Sequence, residues 1–396
     1  MDKLNDSNPS ISFTDFNINN ESFSFVVSSS KRQDTNKIDF NFCNFSLGEN
    51  VEDTVALIAS TLCGQSFKNI NYDLPISAKC KNLLASFTRA NITCSAVAND
   101  FYTPSQISDK IILNFSGGLD SLSVLPLIPK EKIELVSMDF GKNFERELNF
   151  FKNFNPLIVK TNLRELKYDR ESWTFMGCAS LATASFLKAK YNCFGTILEA
   201  NTYQIQNCPS VLKTFYTAPF SYFGLQNACL TNGLTEVGTA KVVLHYLKEF
   251  AGESLKSLSN DGSIKLFRKF TLLDILNEKY SFGAKLQPCS SPIPSVRLKF
   301  GKSFAEDFLI LFMLKHRSVE YVSNIVTDIP CKALEIVYKL QLKFYEKLNP
   351  LYISHIPIEY RYHYLQKLFD AGVTLYDDND FKELFIVRDF LINHRL

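Results

Sequence analysis

The feature that most constrains this chain is an eleven-residue stretch, Ile111-Ile112-Leu113-Asn114-Phe115-Ser116-Gly117-Gly118-Leu119-Asp120-Ser121. Its apolar start reads as a buried strand, which passes through Ser-Gly-Gly-Leu-Asp-Ser straight into a helix that continues through Leu127. Two adjacent glycines let backbone N–H groups approach an anion with no Cβ in the way, and a helix start adds donors and a positive dipole end. Ser116 and Ser121 bring hydroxyls suited to phosphate oxygens, and Asp120 brings a carboxylate able to hold Mg²⁺. Strand, glycine turn and helix in this order predict a pyrophosphate cradle; the alternative is a tight strand-to-helix turn with a serine cap.

The surrounding pattern alternates strand and helix. Ile133 to Met138 and Leu157 to Val159 read as strands, Asn143 to Phe154 and Cys178 to Lys190 as helices, and Phe194 to Leu198 as a further strand. Repeated βα units predict α/β class with a doubly wound parallel sheet and ligands at the carboxyl ends of its strands. Upstream, period-two alternation in Ile11 to Thr14, Phe23 to Val27 and Ile38 to Phe42 predicts an antiparallel meander. Helices follow from Asp53, stopped by Gly64, and from Ala78 to Phe87. Beyond Lys241, helical stripes dominate at Val242 to Phe250, Leu266 to Leu276, Phe304 to Leu314, Ala333 to Leu348 and Tyr360 to Phe369. With 396 residues and about 150 per domain, the expected organisation has three parts. An N-terminal β-rich α+β accessory domain covers 1–105, a nucleotide-binding α/β domain 106–250, and a helical C-terminal lobe 251–396.

Charge and cysteines narrow the function. The 43 Lys+Arg against 41 Asp+Glu leave a formal charge of +2, without the positive excess of a protein that neutralises many phosphates. A small-molecule or nucleotide partner is therefore expected over long nucleic acid. The polar start Met1-Asp2-Lys3-Leu4-Asn5-Asp6 does not read as a signal sequence, and the apolar run Phe308 to Leu314 is far shorter than the roughly 18 residues that span a bilayer. No membrane association and a cytoplasmic location are expected. The ten cysteines are scattered with no CxxC pair, and neither they nor the five histidines show the paired spacing of a zinc site. Gly301-Lys302-Ser303 ends like a Walker A loop, but Val296 stands where the first glycine belongs.

Ser116 to Ser121 resembles the SGGxDS signature of the PP-loop ATP pyrophosphatases, the superfamily of GMP synthetase, asparagine synthetase, tRNA thiouridylases and 7-cyano-7-deazaguanine synthase. The resemblance spans roughly residues 108–250. It implies a HUP-type domain that uses ATP and Mg²⁺, cleaves ATP to AMP and pyrophosphate, and activates a carbonyl oxygen for replacement by nitrogen or sulfur. The implied ATP-binding residues are Phe115, Ser116, Gly117, Gly118, Leu119, Asp120 and Ser121, with Asp120 also the metal ligand. Further segments look most like the deazaguanine-synthase branch. Asp139-Phe140-Gly141 matches its turn beside the adenine. Phe175-Met176-Gly177-Cys178-Ala179 matches its glycine-containing substrate loop. Glu236-Val237-Gly238-Thr239-Ala240-Lys241-Val242 matches the segment whose lysine reaches the phosphates, making Lys241 a candidate for that role or else an ordinary surface lysine. Gly177, Glu199 and Asn201 are the candidate substrate contacts. The zinc cysteines of that branch are missing from Ser259 to Lys269, which implies another substrate.

The nucleophile stays open. Position 2 is Asp2, so the N-terminal cysteine of the glutaminase-coupled asparagine synthetases is absent, and ammonia would arrive free. Thiolating relatives use a persulfide, and Cys178, after Gly177 at a helix start, is the best-placed thiol; the alternative is a buried helix-start cysteine. Cys208 and Cys289 are weaker candidates. The reading is thiolation of a small nucleobase- or nucleotide-like substrate, with a cysteine desulfurase as expected sulfur donor and tRNA disfavoured. Ammonia-dependent amidation or nitrile formation, and a nucleotide-binding sensor or scaffold without turnover, are the alternatives.

Overall fold

The computed structural model describes residues 8–98, 108–141, 144–200, 205, 218–258, 262–286, 294 and 296–395. The chain divides into two compact units. One comprises Met1–Ser116, Glu131–Cys193 and Thr214–Ala228; the other comprises Gly117–Lys130, Phe194–Lys213 and Cys229–Leu396. The architecture is mixed α/β, sheet-rich toward the N-terminus and helical toward the C-terminus.

Among the described residues, ten strands of the first unit form one sheet. They are β1 (Ser10–Ile18), β2 (Ser22–Ser29), β3 (Asn36–Phe42), β4 (Asn69–Ser77), β5 (Asn91–Ala98), β6 (Ser108–Asn114), β7 (Ile133–Asp139), β8 (Leu157–Thr161), β9 (Ala189–Phe194) and β10 (Gln226–Asn227). Their spatial order is β10-β9-β6-β7-β8-β3-β2-β1-β4-β5. β6, β7 and β8 pair in parallel, as do β9 and β10. The meander β1-β2-β3 is antiparallel, as its alternation predicts, and β3 joins β8 antiparallel. The first strands thus extend the same sheet that β6 belongs to.

Alternation buries one face of the meander, and aromatic rings fill it. Phe13, Phe23, Phe25 and Phe40 are fully buried. Phe23 stacks on Phe40 at 4.7 Å between centroids, and Phe13 stacks on Tyr72 of β4 at 5.2 Å. Such pairs add to the stabilisation from area burial, and they account for much of the phenylalanine content of this region.

Several boundaries differ from the sequence expectation. The helix expected from Cys178 to Lys190 ends at Leu187, because Lys188 turns left-handed (φ 50°) and its N–H closes on the Ala184 carbonyl. The strand expected over Phe194 to Leu198 therefore comes earlier, as β9. β4 and β5 were not foreseen; β4 contains Pro75 within a break in register, and β5 is largely exposed.

The second unit is helical. The helix Glu236–Tyr246 is buried from Glu236 to Leu244 and packs against the helices Leu119–Val124 and Ile264–Tyr280. Thr235 caps it: its hydroxyl accepts from the Val237 and Gly238 N–H groups, both at 3.2 Å, and donates to the Tyr345 carbonyl. The stripe expected from Ala333 to Leu348 is interrupted: an α-helix covers Cys331–Lys339, Leu340 is extended and Leu342 left-handed, and a short 3-10 turn follows at Lys343–Glu346. A helix at Asp378–Asn393, opened by the capping box of Asp377 and Asp380, carried no strong stripe. Among the described residues, no helix is long and apolar enough to cross a membrane.

Candidate functional site at the glycine loop

The loop begins in the first unit. Asn114, at the end of β6, donates through Nδ2 to Asn192 Oδ1 at 2.8 Å and to the Cys193 carbonyl at 3.0 Å, and Ser180 donates to its Oδ1. Phe115 is buried, with its N–H on the Val136 carbonyl, its carbonyl on the Ser137 hydroxyl and its ring against Phe151 and Phe154. The strand end is thereby fixed where the chain turns into Ser116.

Gly117 to Ser121 belong to the second unit. Gly117 has φ 73°, a left-handed conformation that favours glycine, and its carbonyl accepts from the Ser254 hydroxyl at 2.7 Å. Gly118 precedes the first turn of the helix Leu119–Val124, and its carbonyl accepts from Leu122 N–H and from the buried Ser121 hydroxyl. Gly195 passes so close that a Cβ there would lie 2.5 Å from Ser121 N and 2.8 Å from Asp120 C, so that position admits no side chain.

Asp120 is the focus of a network of charges. Its Oδ1 accepts from the Thr239 hydroxyl at 2.8 Å, and its Oδ2 lies 3.6 Å from Lys269 Nζ. Lys269 also contacts Glu236 Oε1, whose other oxygen lies 3.1 Å from Arg268; Arg268 in turn pairs with Glu306. Glu236 and Thr239 share a face of the helix Glu236–Tyr246, three residues apart, and Arg268 and Lys269 come from Ile264–Tyr280. Glu236, Arg268 and Lys269 are buried, while Asp120 keeps 21% of its side chain exposed.

The electrostatics follow from burial against pairing. Burial raises the Asp120 carboxyl above its ordinary range, with Lys269 the largest opposing influence. For Glu236, burial pushes the same way, but Lys269 and Arg268 win and hold it at about 2. Burial would lower Lys269, yet Asp120 and Glu236 raise it. Glu199 behaves differently. Its Oε1 accepts from the Glu236 N–H at 2.8 Å, its Oε2 has no hydrogen-bond partner among the described residues, and burial pushes it up to about 8. Burial thus favours its protonated form, beside a helix N-terminus.

The other expected site residues fall as follows. Lys241 is not a surface lysine: it is 5% exposed, donates to the Gly372 carbonyl at 2.9 Å, lies 3.5 Å from Glu346 and sits over the Tyr280 ring. Two residues beyond Thr239, it leaves the opposite side of their helix, and the lysine beside Asp120 is Lys269. Asp139, Phe140, Gly141, Gly177 and Cys178 are in the first unit. Asp139 Oδ1 accepts from the Gly141 N–H at 2.8 Å, and Gly141 is left-handed (φ 88°). The Phe140 ring carries the Arg164 guanidinium 4.1 Å above it and meets Phe144 and Phe175 edge-on. Gly177 precedes the helix Cys178–Leu187; Cys178 is fully buried, its Sγ 3.3 Å from Thr61 Oγ1, and burial pushes the thiol up to about 12. Asn201, Cys208 and Cys289 lie outside the described residues.

Sequence reasoning missed the roles of Lys269, Arg268, Glu236, Thr239 and Gly195. The three-residue spacing of Glu236 and Thr239 was a usable signal. Arg268-Lys269 was not, because adjacent charges beside an apolar stripe read as a solvated face. No protein-family model, curated protein or solved structure matches the chain.

Proposed function

We propose that the chain is an ATP-dependent adenylating enzyme of the PP-loop type, built on a doubly wound α/β domain. It cleaves ATP to AMP and pyrophosphate and activates a carbonyl oxygen of a small nucleobase- or nucleotide-like substrate for replacement by sulfur. The observation that carries this reading is the placement of Asp120. It stands at the first turn after Gly117 and Gly118, oriented by Thr239 and faced by the buried cation of Lys269. A loop that merely turned a strand into a helix has no use for a partly exposed carboxylate tied into buried charges.

The donor set fits Mg²⁺ carried by a nucleotide. Such an ion takes one or two carboxylates and completes its shell with phosphate oxygens and water. Asp120 offers one carboxylate, and no group of three or more His, Cys, Asp or Glu able to hold a metal occurs among the described residues. When bound, Mg²⁺ neutralises phosphate charge. The chain's own part is to present loop amides and Lys269 to the pyrophosphate as it departs, a preorganised charge that acts where negative charge develops. Thr239 keeps the Asp120 carboxylate in one orientation.

One observation favours a second reading of the nucleophile. A thiol buried at Cys178 and pushed up to about 12 is protonated at neutral pH, and a thiolate is what a persulfide relay needs. Sulfur would then come from an external persulfide donor such as a cysteine desulfurase, or the nucleophile is ammonia and the product an amide or nitrile. Pyrophosphate release from ATP, measured over a panel of purine bases and nucleotides with sulfide and with ammonium, tests the proposal. Acceptor-dependent release abolished by Asp120→Asn is expected. ATP binding without release for any acceptor would leave a nucleotide-binding scaffold instead.

A further inference from the structure

Away from the glycine loop, the first unit carries a cavity of about 240 Å³ lined by Ile11, Leu62, Phe67, Tyr168 and four cationic side chains, Lys31, Arg32, Lys167 and Arg170, against one carboxylate, Glu171. Its floor is apolar: Ile11, Leu62 and Phe67 are each less than 5% exposed. Lys31 and Arg32 come from the β2–β3 connection, and residues 167–171 follow β8.

The cations are not equivalent. Lys31 pairs with Glu171 at 3.2 Å and lies over the Phe67 ring. Arg32 stacks on Tyr168 at 4.2 Å and grips Asp34 through Nε and a terminal nitrogen at 3.1 and 2.9 Å. Those two charges are cancelled by Glu171 and Asp34. Lys167 and Arg170 form no side-chain hydrogen bond or ion pair among the described residues, which leaves two uncompensated positive charges over an apolar floor. Lys167 is held there by a left-handed backbone (φ 59°), and its carbonyl accepts from Arg32 at 3.4 Å.

We propose that this cavity binds a small phosphomonoester with a flat apolar body. A phosphomonoester carries about −1.5 to −2 charge at neutral pH, which matches two free cations where a carboxylate would match one. The floor gives the body something to cover, which bare phosphate lacks. The size suits one small ligand, since pockets for drug-sized molecules run from about 300 Å³ upward.

The test titrates the full chain with phenyl phosphate, inorganic phosphate and benzoate by calorimetry. Phenyl phosphate should bind tightest, and the Lys167→Gly/Arg170→Gln double variant should weaken it by at least about tenfold, the loss of a charge-assisted contact. Glycine suits the left-handed position 167, and both residues are exposed, so the variant's melting curve should match the parent's. If it does not, Arg170→Gln alone must weaken binding in the same direction. Asp120→Asn should leave phenyl phosphate binding unchanged. No binding, equal binding of inorganic phosphate or benzoate, an unaffected double variant, or loss with Asp120→Asn would each overturn the proposal.

Discussion

The Thr239 hydroxyl donates to Asp120 Oδ1 at 2.8 Å while lying 3.1 Å from the Glu236 carbonyl oxygen, so a single proton serves a loop carboxylate and its own helix. Thr239→Val keeps the shape and removes that proton. It should cost about 1–3 kcal/mol of stability for the unmade bond and reduce pyrophosphate release more than Thr239→Ser does, measured by denaturation and by steady-state assay.

Lys269 compensates two carboxylates at once. Lys269→Met removes the cation that faces Asp120 at 3.6 Å and one of the two that pair with Glu236, and breaking a buried pair in this way costs about 3–5 kcal/mol. Adding Glu236→Gln should recover part of the loss, a coupling that a double-mutant cycle measures. Lys241→Met should cost less, because Glu346 retains Lys279 at 2.6 Å and the Tyr280 hydroxyl.

Glu199 sets a pH dependence. Its folded carboxyl, at about 8, is raised above the unfolded value, so its contribution is fully present below the unfolded value and is lost as pH rises through 8. Each pH unit within that window costs up to about 1.4 kcal/mol. Glu199→Gln keeps an acceptor for the Glu236 N–H and should flatten the decline, giving a variant more stable than the parent at pH 9 but not at pH 4.

Gly195→Ala drives a methyl group into the backbone at Ser121 and Asp120. Backbone cannot rotate away as a side chain does, so the variant should lose about 1–3 kcal/mol and release pyrophosphate more slowly. Gly283→Ala meets no atom within 4 Å and serves as the comparison, with only left-handed strain (φ 70°).

Thiol accessibility separates the cysteines. Cys43 and Cys331 are exposed, whereas Cys63, Cys80, Cys178 and Cys193 are buried. A disulfide reagent should label the first two in the native protein and the other four only after unfolding. Cys178→Ala should leave pyrophosphate release intact; abolished release in a folded variant would return Cys178 to the mechanism.

What the sequence disclosed followed from periodicity. β1 to β3 and β6 to β8 show clean alternation or short apolar runs, and they occur where those patterns fall. β5 buries little, so its residues carry no pattern to read, and Pro75 obscures β4. At the candidate site, the loop and Asp120 were legible because glycines and a carboxylate at fixed spacing have a local meaning. Lys269 was not, since its meaning depends on a helix nearly 150 residues away in sequence facing Asp120. Glu199 needed its burial to be known before its chemistry could be stated.

The division of the chain into interleaved segments has a consequence for its synthesis. The first unit draws strands from both sides of the segment Gly117–Lys130, and its last strand is Gln226–Asn227. On the ribosome, β1 to β5 emerge early and wait through more than a hundred further residues before the sheet can close. Any uninterrupted fragment that contains the whole of one unit also carries segments of the other, so neither unit can be produced by itself from a single cut in the gene.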